Sequence, residues 1–414
     1  GGNVDAGSFR PVARGQDLCL PFRAGPGGAA GDPVAALRGD AEKEAQAMIT
    51  ALIVVHIAFF FWIAVNRLFL PTLPKQPAVK TNPLVSILVP MRNEERNVPT
   101  IIRSLKETDW ERAEFILLND QSTDGTQAAL DREIAGDKRF TVLQGVELPA
   151  GCVGKVHACH QLQKHASGDY LFFVDADVRF RKQAVRQTLG SMEKHRAALL
   201  SGFPAFEVPV FLSKLLVPML HFVILFHLPL ALANYAKFPA ATAANGMWMA
   251  FERKAYEAIG GHEAVRTSLV EDVHIARTLK QAGHKVLLAN ITASVKCRMY
   301  ETPAEVWEGF LKNSYTGIGR SPLIAVFLTV FYSIFYIFPL FLAAAGAMTG
   351  HWIWLVPYAL TVLQRWYVDM VTNQRWYLAF LIPLQAVAML AVMLTAMKKS
   401  LKKESYTWKG RHYS

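Results

Sequence analysis

The sequence predicts an α/β domain, with helices on both faces of a mostly parallel sheet, held between transmembrane helices at its N- and C-terminal ends. Three observations predict it. Long stretches without charge stand near both ends of the chain. Between them, short apolar runs alternate with amphipathic stretches of helical spacing, the pattern of strands joined by crossover helices. Polar and acidic residues recur where those apolar runs stop, and parallel sheets bind ligands at the carboxyl ends of their strands.

The 414 residues carry a formal charge of +11, and 52% of them are hydrophobic, which is too apolar for an ordinary soluble protein. Residues 1–47 are rich in Gly, Ala, Arg and Pro with little periodicity and read as a disordered or non-native extension. No apolar stretch near their start suits a signal peptide, and Met48 is the expected natural start. From Met48 to Val65 there is no charged residue, enough to cross a bilayer core of about 30 Å, so 48–70 predicts a first transmembrane helix. Ser321 to Gln364 and Trp376 to Met397 are also uncharged, and 321–397 predicts further transmembrane or interfacial helices.

Arg67, Lys75 and Lys80 follow the first span and "KKSLKKE" (398–404) follows the last. The positive-inside bias puts both in the cytoplasm, with 398–414 as a basic tail. The region between must then cross an even number of times, which leaves "HWIWLVPYALTVLQRW" partly in the interface. The positive charge goes with the membrane, and no nucleic-acid partner is expected. Cys19, Cys152, Cys159 and Cys297 are scattered and form no disulfide framework, while "CVGKVHACH" matches no standard zinc spacing.

From residue 83 to 320 the pattern is that of the α/β domain. "LVSILV" (84–89) is a buried strand ending at Pro90, followed by the turn "MRNEERN" and a helix with Val98, Ile101, Ile102 and Leu105 on one side. "AEFILL" (113–118) is the next strand and runs into "NDQSTDGT". A helix from Gln127, a strand "FTVLQ" (140–144), a helix through "VHACHQLQKHA" and the strand "YLFFV" complete the series. Segment 208–235 is apolar but broken by Pro209, Pro218 and Pro229, which predicts an interfacial helix pair, with a buried core helix as the alternative.

"VSILVPMRNEE", "LLNDQSTDGT", "GKVHACHQL", "VDADV" and "EDVHIARTL" resemble, in order and spacing, the family 2 glycosyltransferases, which have the GT-A fold. The resemblance covers residues 83–320. "WEGFLKNSY" (307–315) and "YTWKGRHYS" at the end look like the membrane-bound branch that includes bacterial carotenoid (diapocarotenoid) glycosyltransferases and relatives in hopanoid gene clusters. The "QxxRW" signature of processive polysaccharide synthases is absent where "FLKNSY" stands. "QRW" at 364–366 and 374–376 lies in or beside membrane segments instead.

The resemblance gives the polar strand exits their roles. Carboxylates at the end of an apolar strand are costly unless neutralised, and oxygen ligands suit Mg²⁺ or Mn²⁺. It implies Asp177 as a direct metal ligand, with Asp175 facing the ribose or the metal. Asp120 would hydrogen-bond the base, Pro90 and Glu94 would line the donor site, and Lys155 would counter phosphate charge. "GCVGK" is not a P-loop, Asp124 reads as a helix N-cap, and Glu95 reads as a solvated first-turn residue. Asp272 would be the general base of an inverting displacement, although Glu271 and Asp272 also suit plain helix capping. His274, on the same turn, reads as packing or surface.

The implied function is transfer of one sugar from a nucleotide-sugar donor, expected to be UDP-linked, to a lipid-like acceptor such as a carotenoid, hopanoid or glycerolipid. The implied place is the cell membrane, multi-pass, with the catalytic domain cytoplasmic and segment 208–235 at the acceptor entrance. Two alternatives stand beside it. One is a processive polysaccharide synthase. The other is a membrane scaffold or transporter with a degenerate transferase domain, opposed by the lack of charges buried within a span, Arg365 and Asp369 being near a segment end.

Overall fold

Apolar runs at either end of the chain become long helices, and the shorter runs between them become strands of one sheet. The structure, a computed structural model, describes residues 33–402, 406–408 and 411–413, with side chains from 42 to 402. By internal contacts the chain divides into Gly1–Met48 and Ile49–Ser414, and the sheet and every candidate site residue belong to the second. Helix α1 (Pro33–Arg67) begins well before Met48. Residues 33–47, expected to be irregular, are therefore helical, in keeping with the strong helix formers of "AEKEAQA". Residues 1–32 of that expected extension, Cys19 among them, lie outside the described residues.

The four expected strands form as β1 (Val85–Met91), β2 (Ala113–Asn119), β3 (Phe140–Gln144) and β4 (Tyr170–Val174). Between them run α2 (Val98–Lys106), α3 (Thr126–Ile134) and α4 (Gly154–His165). The chain then adds β5 (Val178–Phe180), α5 (Ala184–His195), β6 (Leu199–Phe203) and β7 (Ala205–Phe206). Three short helices follow, α6 (Phe211–Leu216), α7 (Met219–His227) and α8 (Leu230–Tyr235), where a helix pair is expected. The domain closes with β8 (Trp248–Glu252), α9 (Arg253–Ala258), α10 (Glu271–Gln281), β9 (Val286–Asn290), β10 (Val295–Cys297) and α11 (Pro303–Gly317).

The main sheet has seven strands in the order β3-β2-β1-β4-β8-β6-β9. It is mostly parallel, with β8 antiparallel to both of its neighbours. Successive residues of β1 face opposite sides. Ile87 joins a core with Val98, Ile102 and Leu130, whereas Leu88 packs with Ala158, Leu162 and Ile275. Helices α2, α3 and α5 thus cover one face, and α4 and α10 the other.

One detail of register opens the site. The β1–β2 ladder continues to Met91 opposite Asn119, but the β1–β4 ladder stops at Leu88 opposite Phe173. Pro90, which has no N–H to give a second neighbour, lies beyond the last β4 partner. The strand order reverses between β1 and β4, the place where such sheets leave a crevice.

Three helical stretches are long and apolar enough to cross a membrane: Glu42–Arg67, Pro322–Thr349 and Trp376–Leu401. The second combines α12 (Pro322–Tyr332) and α13 (Phe338–Thr349) through a π-helical turn, and the third runs into α15 (Ile382–Leu401). Between them α14 (Val356–Val371) holds the residues expected to lie partly in the interface. It carries a correction. Arg365 and Asp369 are not near-surface charges of a segment end; they form an ion pair at 2.9 Å with both side chains fully buried, and Arg365 Nη1 also donates to the Pro218 carbonyl at 3.0 Å. An ammonium- or guanidinium-type charge tolerates such burial only when paired. Near the C-terminus, β11 (Tyr406–Trp408) and β12 (Arg411–Tyr413) pair as an antiparallel hairpin, where the sequence predicts only a basic tail.

Candidate active site

The carboxyl ends of β1, β2 and β4 gather the residues that the sequence singles out. After β1 the chain turns through Asn93, whose φ of 54° is left-handed, and Asn93 Oδ1 accepts from the Thr123 N–H at 2.8 Å. Glu94 is buried, with its N–H donating to the Thr126 hydroxyl at 2.9 Å and Oε2 accepting from Asn97 at 2.6 Å. Glu95 is exposed, as the solvated reading expects, and it also makes a contact. Its Oε2 accepts from the Gly125 N–H at 3.0 Å, so it ties the two turns together. The N-cap of α3 is Gly125 rather than Asp124, which stands one residue earlier and accepts from the Thr126 N–H at 3.0 Å.

Asp120 follows β2 directly and is buried. Its N–H donates to the Met91 carbonyl at 2.7 Å, and its own carbonyl accepts from Arg92 at 2.7 Å. Gly145 lies against it: a Cβ there would stand 2.9 Å from the Asp120 Cα. That close approach needs glycine.

Asp175 and Asp177 leave β4 half-buried. The Asp175 carboxylate is held by Lys155 Nζ at 2.7 Å and 2.9 Å from its two oxygens. Lys155 stands in the first turn of α4, and its Nζ also lies 3.6 Å from Glu271 Oε1 and 3.4 Å from the Gly246 carbonyl. Burial works against its charge, but Asp175 and Glu271 outweigh burial and hold the ammonium above the ordinary lysine range. The Asp177 carboxylate is hydrogen-bonded by the Cys297 thiol, whose pKa rises well above normal through burial first and then through Asp177, Asp175 and Glu94. Cys159, one turn beyond Lys155, is raised by burial and by Glu271, Asp175 and Asp120. Asp175 is the carboxylate that both buried thiols feel; Cys297 also feels Asp177 and Glu94, and Cys159 also feels Glu271 and Asp120.

Asp272 stands in the first turn of α10. Oδ1 accepts from the Val273 N–H at 2.8 Å and Oδ2 from the Gly246 N–H at 2.9 Å. Burial first, and then the adjacent Glu271 charge, push its pKa up to about 7, against the pull of Lys155 and the two N–H bonds. A carboxyl poised near neutrality is suited to proton transfer. His274 is exposed, and its Nδ1 pairs with the Ser268 hydroxyl at 2.7 Å.

Three members of the site have no chemical role assigned from the sequence. Glu271, read there as a capping residue, is buried and faces Lys155. Gly246 sits between three charged groups: a Cβ would meet Lys155 Nζ at 2.9 Å, Glu271 Oε1 at 3.4 Å and Asp272 Oδ2 at 3.7 Å. Lys312, inside the "FLKNSY" of α11, lies within electrostatic reach of the same cluster. Burial lowers its pKa, Lys155 adds to that, and Glu271, Asp175 and Asp272 oppose it. The cysteine–histidine stretch of α4 gathers no metal set: among the described residues no group of three His, Cys, Asp or Glu side chains is arranged to hold an ion.

The family model described as glycosyl transferase family 21 matches residues 47–414. The motif resemblance points to family 2; the model that matches is that of family 21. Among curated relatives, the 4,4'-diaponeurosporenoate glycosyltransferase of Staphylococcus aureus (strain MRSA252) is 26% identical over 343 residues, covering 80% of this chain and 88% of that protein. The protein of the same description from Staphylococcus haemolyticus is 24% identical over 264 residues, covering 62% and 68%. Among solved structures, a mannosyltransferase from Pyrobaculum calidifontis in complex with GDP-Man and Mn²⁺ superposes with a TM-score of 0.51 at 16% identity, over 86% of this chain and 99% of that one. The fold is that of the GT-A glycosyltransferases.

Proposed function

The chain belongs to glycosyl transferase family 21, and from that premise we propose that it moves a single hexosyl group from a nucleoside-diphosphate sugar to a lipid-like acceptor at a membrane, with inversion. The observation that carries the reading is the cluster of Lys155, Asp175, Glu271 and Asp272 around Gly246, where β4 ends and β8 begins. Asp120, Pro90 and Glu94 line the nucleoside side. Lys155 keeps Asp175 in place and offsets its charge. Asp272 receives the proton of the acceptor hydroxyl while that oxygen bonds to the anomeric carbon, and the electron pair of the breaking C–O bond leaves with the diphosphate. Attack opposite the leaving group inverts the anomeric centre.

The residues at the β4 exit fit a divalent cation that keeps several non-protein ligands. Mg²⁺ is held by one or two carboxylates plus substrate phosphates, and Mn²⁺ also takes oxygen donors. Asp177 would hold it, its carboxylate oriented by Cys297, with Asp175 already engaged by Lys155. When bound, such an ion supplies Lewis-acid neutralisation of diphosphate charge.

The acceptor class follows from the surroundings. The Staphylococcus relatives are named for a carotenoid carboxylate, and the domain here is flanked by helices able to span a bilayer. One span before the domain and two after it keep the basic segments at Arg67 and Lys398 on one side, which supports a multi-pass protein with its domain in the cytoplasm. A purified preparation in detergent, given a panel of labelled UDP- and GDP-sugars and a bacterial lipid extract, tests the proposal. Mass spectrometry should find one sugar added to one lipid class. A polymer would favour a synthase, and no turnover of any bound donor would favour a scaffold.

A further inference from the structure

Where the candidate span α1 ends, the chain is sewn to the short helices α7 and α8. Asn66 donates through Nδ2 to the carbonyls of Leu225 and Leu228, at 2.8 and 2.7 Å, and its Oδ1 accepts from the Leu230 N–H at 2.8 Å. Asn234 donates to the Phe69 and Leu288 carbonyls at 2.8 and 2.9 Å and accepts from the Leu288 N–H at 2.8 Å. Both buried amides are fully used. They fix α8 to the end of the candidate span α1. From that level Leu232, Tyr235 and Phe238 point outward, 42%, 50% and 50% exposed. Lys237 is exposed beside them, and Lys285 Nζ lies 5.3 Å from the centre of the Tyr235 ring. Aromatic and aliphatic side chains with lysines at the end of a span are the composition of a bilayer interface.

The inner side of the same segment is strapped to α10. Lys280, only 6% exposed, donates to the carbonyls of Ala233 at 2.7 Å and of Leu232 and Ala241 at 3.1 Å each. An ammonium has three donors, and here each has an acceptor on this segment. At the other end of the segment, Gly246 donates to Asp272. Lys280 and Asp272 belong to one helix and are about 12 Å apart along it, at 1.5 Å per residue. Segment 232–246 is therefore pinned at two points to the helix that carries the proposed base.

We propose that segment 232–246 is a guide for the lipid acceptor, its outer residues seated in the bilayer interface, and that Lys280 is the positioning residue that keeps this guide in register with Asp272. The inference rests on the proposed function and extends it to acceptor delivery. A lipid lying along Leu232, Tyr235 and Phe238 would enter beside α10, and the strap sets how its reactive oxygen meets the carboxylate. Charge complementarity makes the partner surface anionic, through Lys237 and Lys285.

Two measurements on the full-length protein in liposomes of phosphatidylcholine and phosphatidylglycerol test this. In the first, transfer to bilayer-embedded acceptor is compared with hydrolysis of the donor by water. Lys280→Met should raise the acceptor KM by about tenfold and leave donor hydrolysis and donor Kd unchanged, and Lys280→Arg should recover most of the loss. An equal fall in transfer and hydrolysis would make Lys280 a merely structural residue and overturn the proposal. In the second, Phe238→Cys carries a spin label, with Cys19 and Cys152 replaced by Ser. The label should be accessible to oxygen and shielded from a water-soluble nickel complex, as at the headgroup boundary, and a label in bulk water would overturn the proposal without any assay of activity. A membrane-seated label in a protein that transfers no sugar to any lipid would uphold the docking and overturn the enzymatic reading instead.

Discussion

The backbone N–H of Gly246 donates to Asp272 Oδ2 at 2.9 Å, and the Gly246 α-carbon faces Lys155 so closely that a Cβ would stand 2.9 Å from its Nζ. One glycine therefore touches both halves of the site: the proposed base on α10 and the lysine that holds Asp175. Its lack of a side chain lets the two charges approach a common point.

Gly246→Ala tests that relationship. The added methyl must displace an ammonium that is paired with two carboxylates, so Lys155 shifts. A displacement near 1 Å at a reacting group costs on the order of 10²-fold. The expected result is a loss of that size in kcat/KM with the unfolding temperature within a few degrees of wild type. Unchanged kinetics would show that the glycine is incidental.

The metal proposal is tested by Asp177→Asn together with chelation. The substitution keeps size and removes charge, so turnover should fall by orders of magnitude. EDTA should abolish wild-type activity, and Mg²⁺ or Mn²⁺ should restore it. Full activity in excess chelator would remove the ion from the account.

The pH profile reports the base. The proposed base Asp272 would act as a carboxylate, and burial together with Glu271 has pushed its pKa up to about 7. Below that pH it is protonated and inactive. With a hydroxyl acceptor, log kcat/KM should rise with unit slope towards pH 7 and level off above it. Glu271→Gln removes the neighbouring charge and should move the midpoint to lower pH. A flat profile from pH 5 to 9 would exclude this carboxyl as the proton acceptor.

The Arg365–Asp369 pair gives a stability prediction. Both side chains are fully buried. Arg365→Met strands a carboxylate and should cost about 3–5 kcal/mol of unfolding free energy in detergent. The double variant Arg365→Met with Asp369→Leu should recover most of that loss. If the double variant is no more stable than the single, the pair is not the cause.

The first half of the sheet was legible because β1, β2 and β4 are unbroken apolar runs with polar residues stacked at their exits, and the helices between them show one apolar face. The second half was not. The β8 run "WMAFE" lies antiparallel between β4 and β6, so it follows no strand–helix alternation, and "LLSGF" and "VLLAN" read equally well as pieces of buried helix. At the site, Asp175 and Asp177 stood out as carboxylates at the exit of an apolar run, and Asp272 through the motif resemblance. Gly246 and Lys312 did not, because their importance comes from what distant segments bring to them. The buried pair on α14 was misjudged for a related reason. Nothing in a lone Arg and Asp four residues apart tells that α7 will cover them.

The most direct test of the account is single turnover by Asp272→Asn with the donor already bound. General-base assistance is typically worth about 10²–10⁴-fold, while Asp120, Lys155 and Asp177 are untouched by the change. The account predicts donor affinity close to wild type, transfer to a hydroxyl acceptor slowed by that factor, and only a slight loss with a carboxylate acceptor, which is already ionised at neutral pH. Loss of donor affinity with normal turnover of the bound fraction would contradict it and make Asp272 a binding residue.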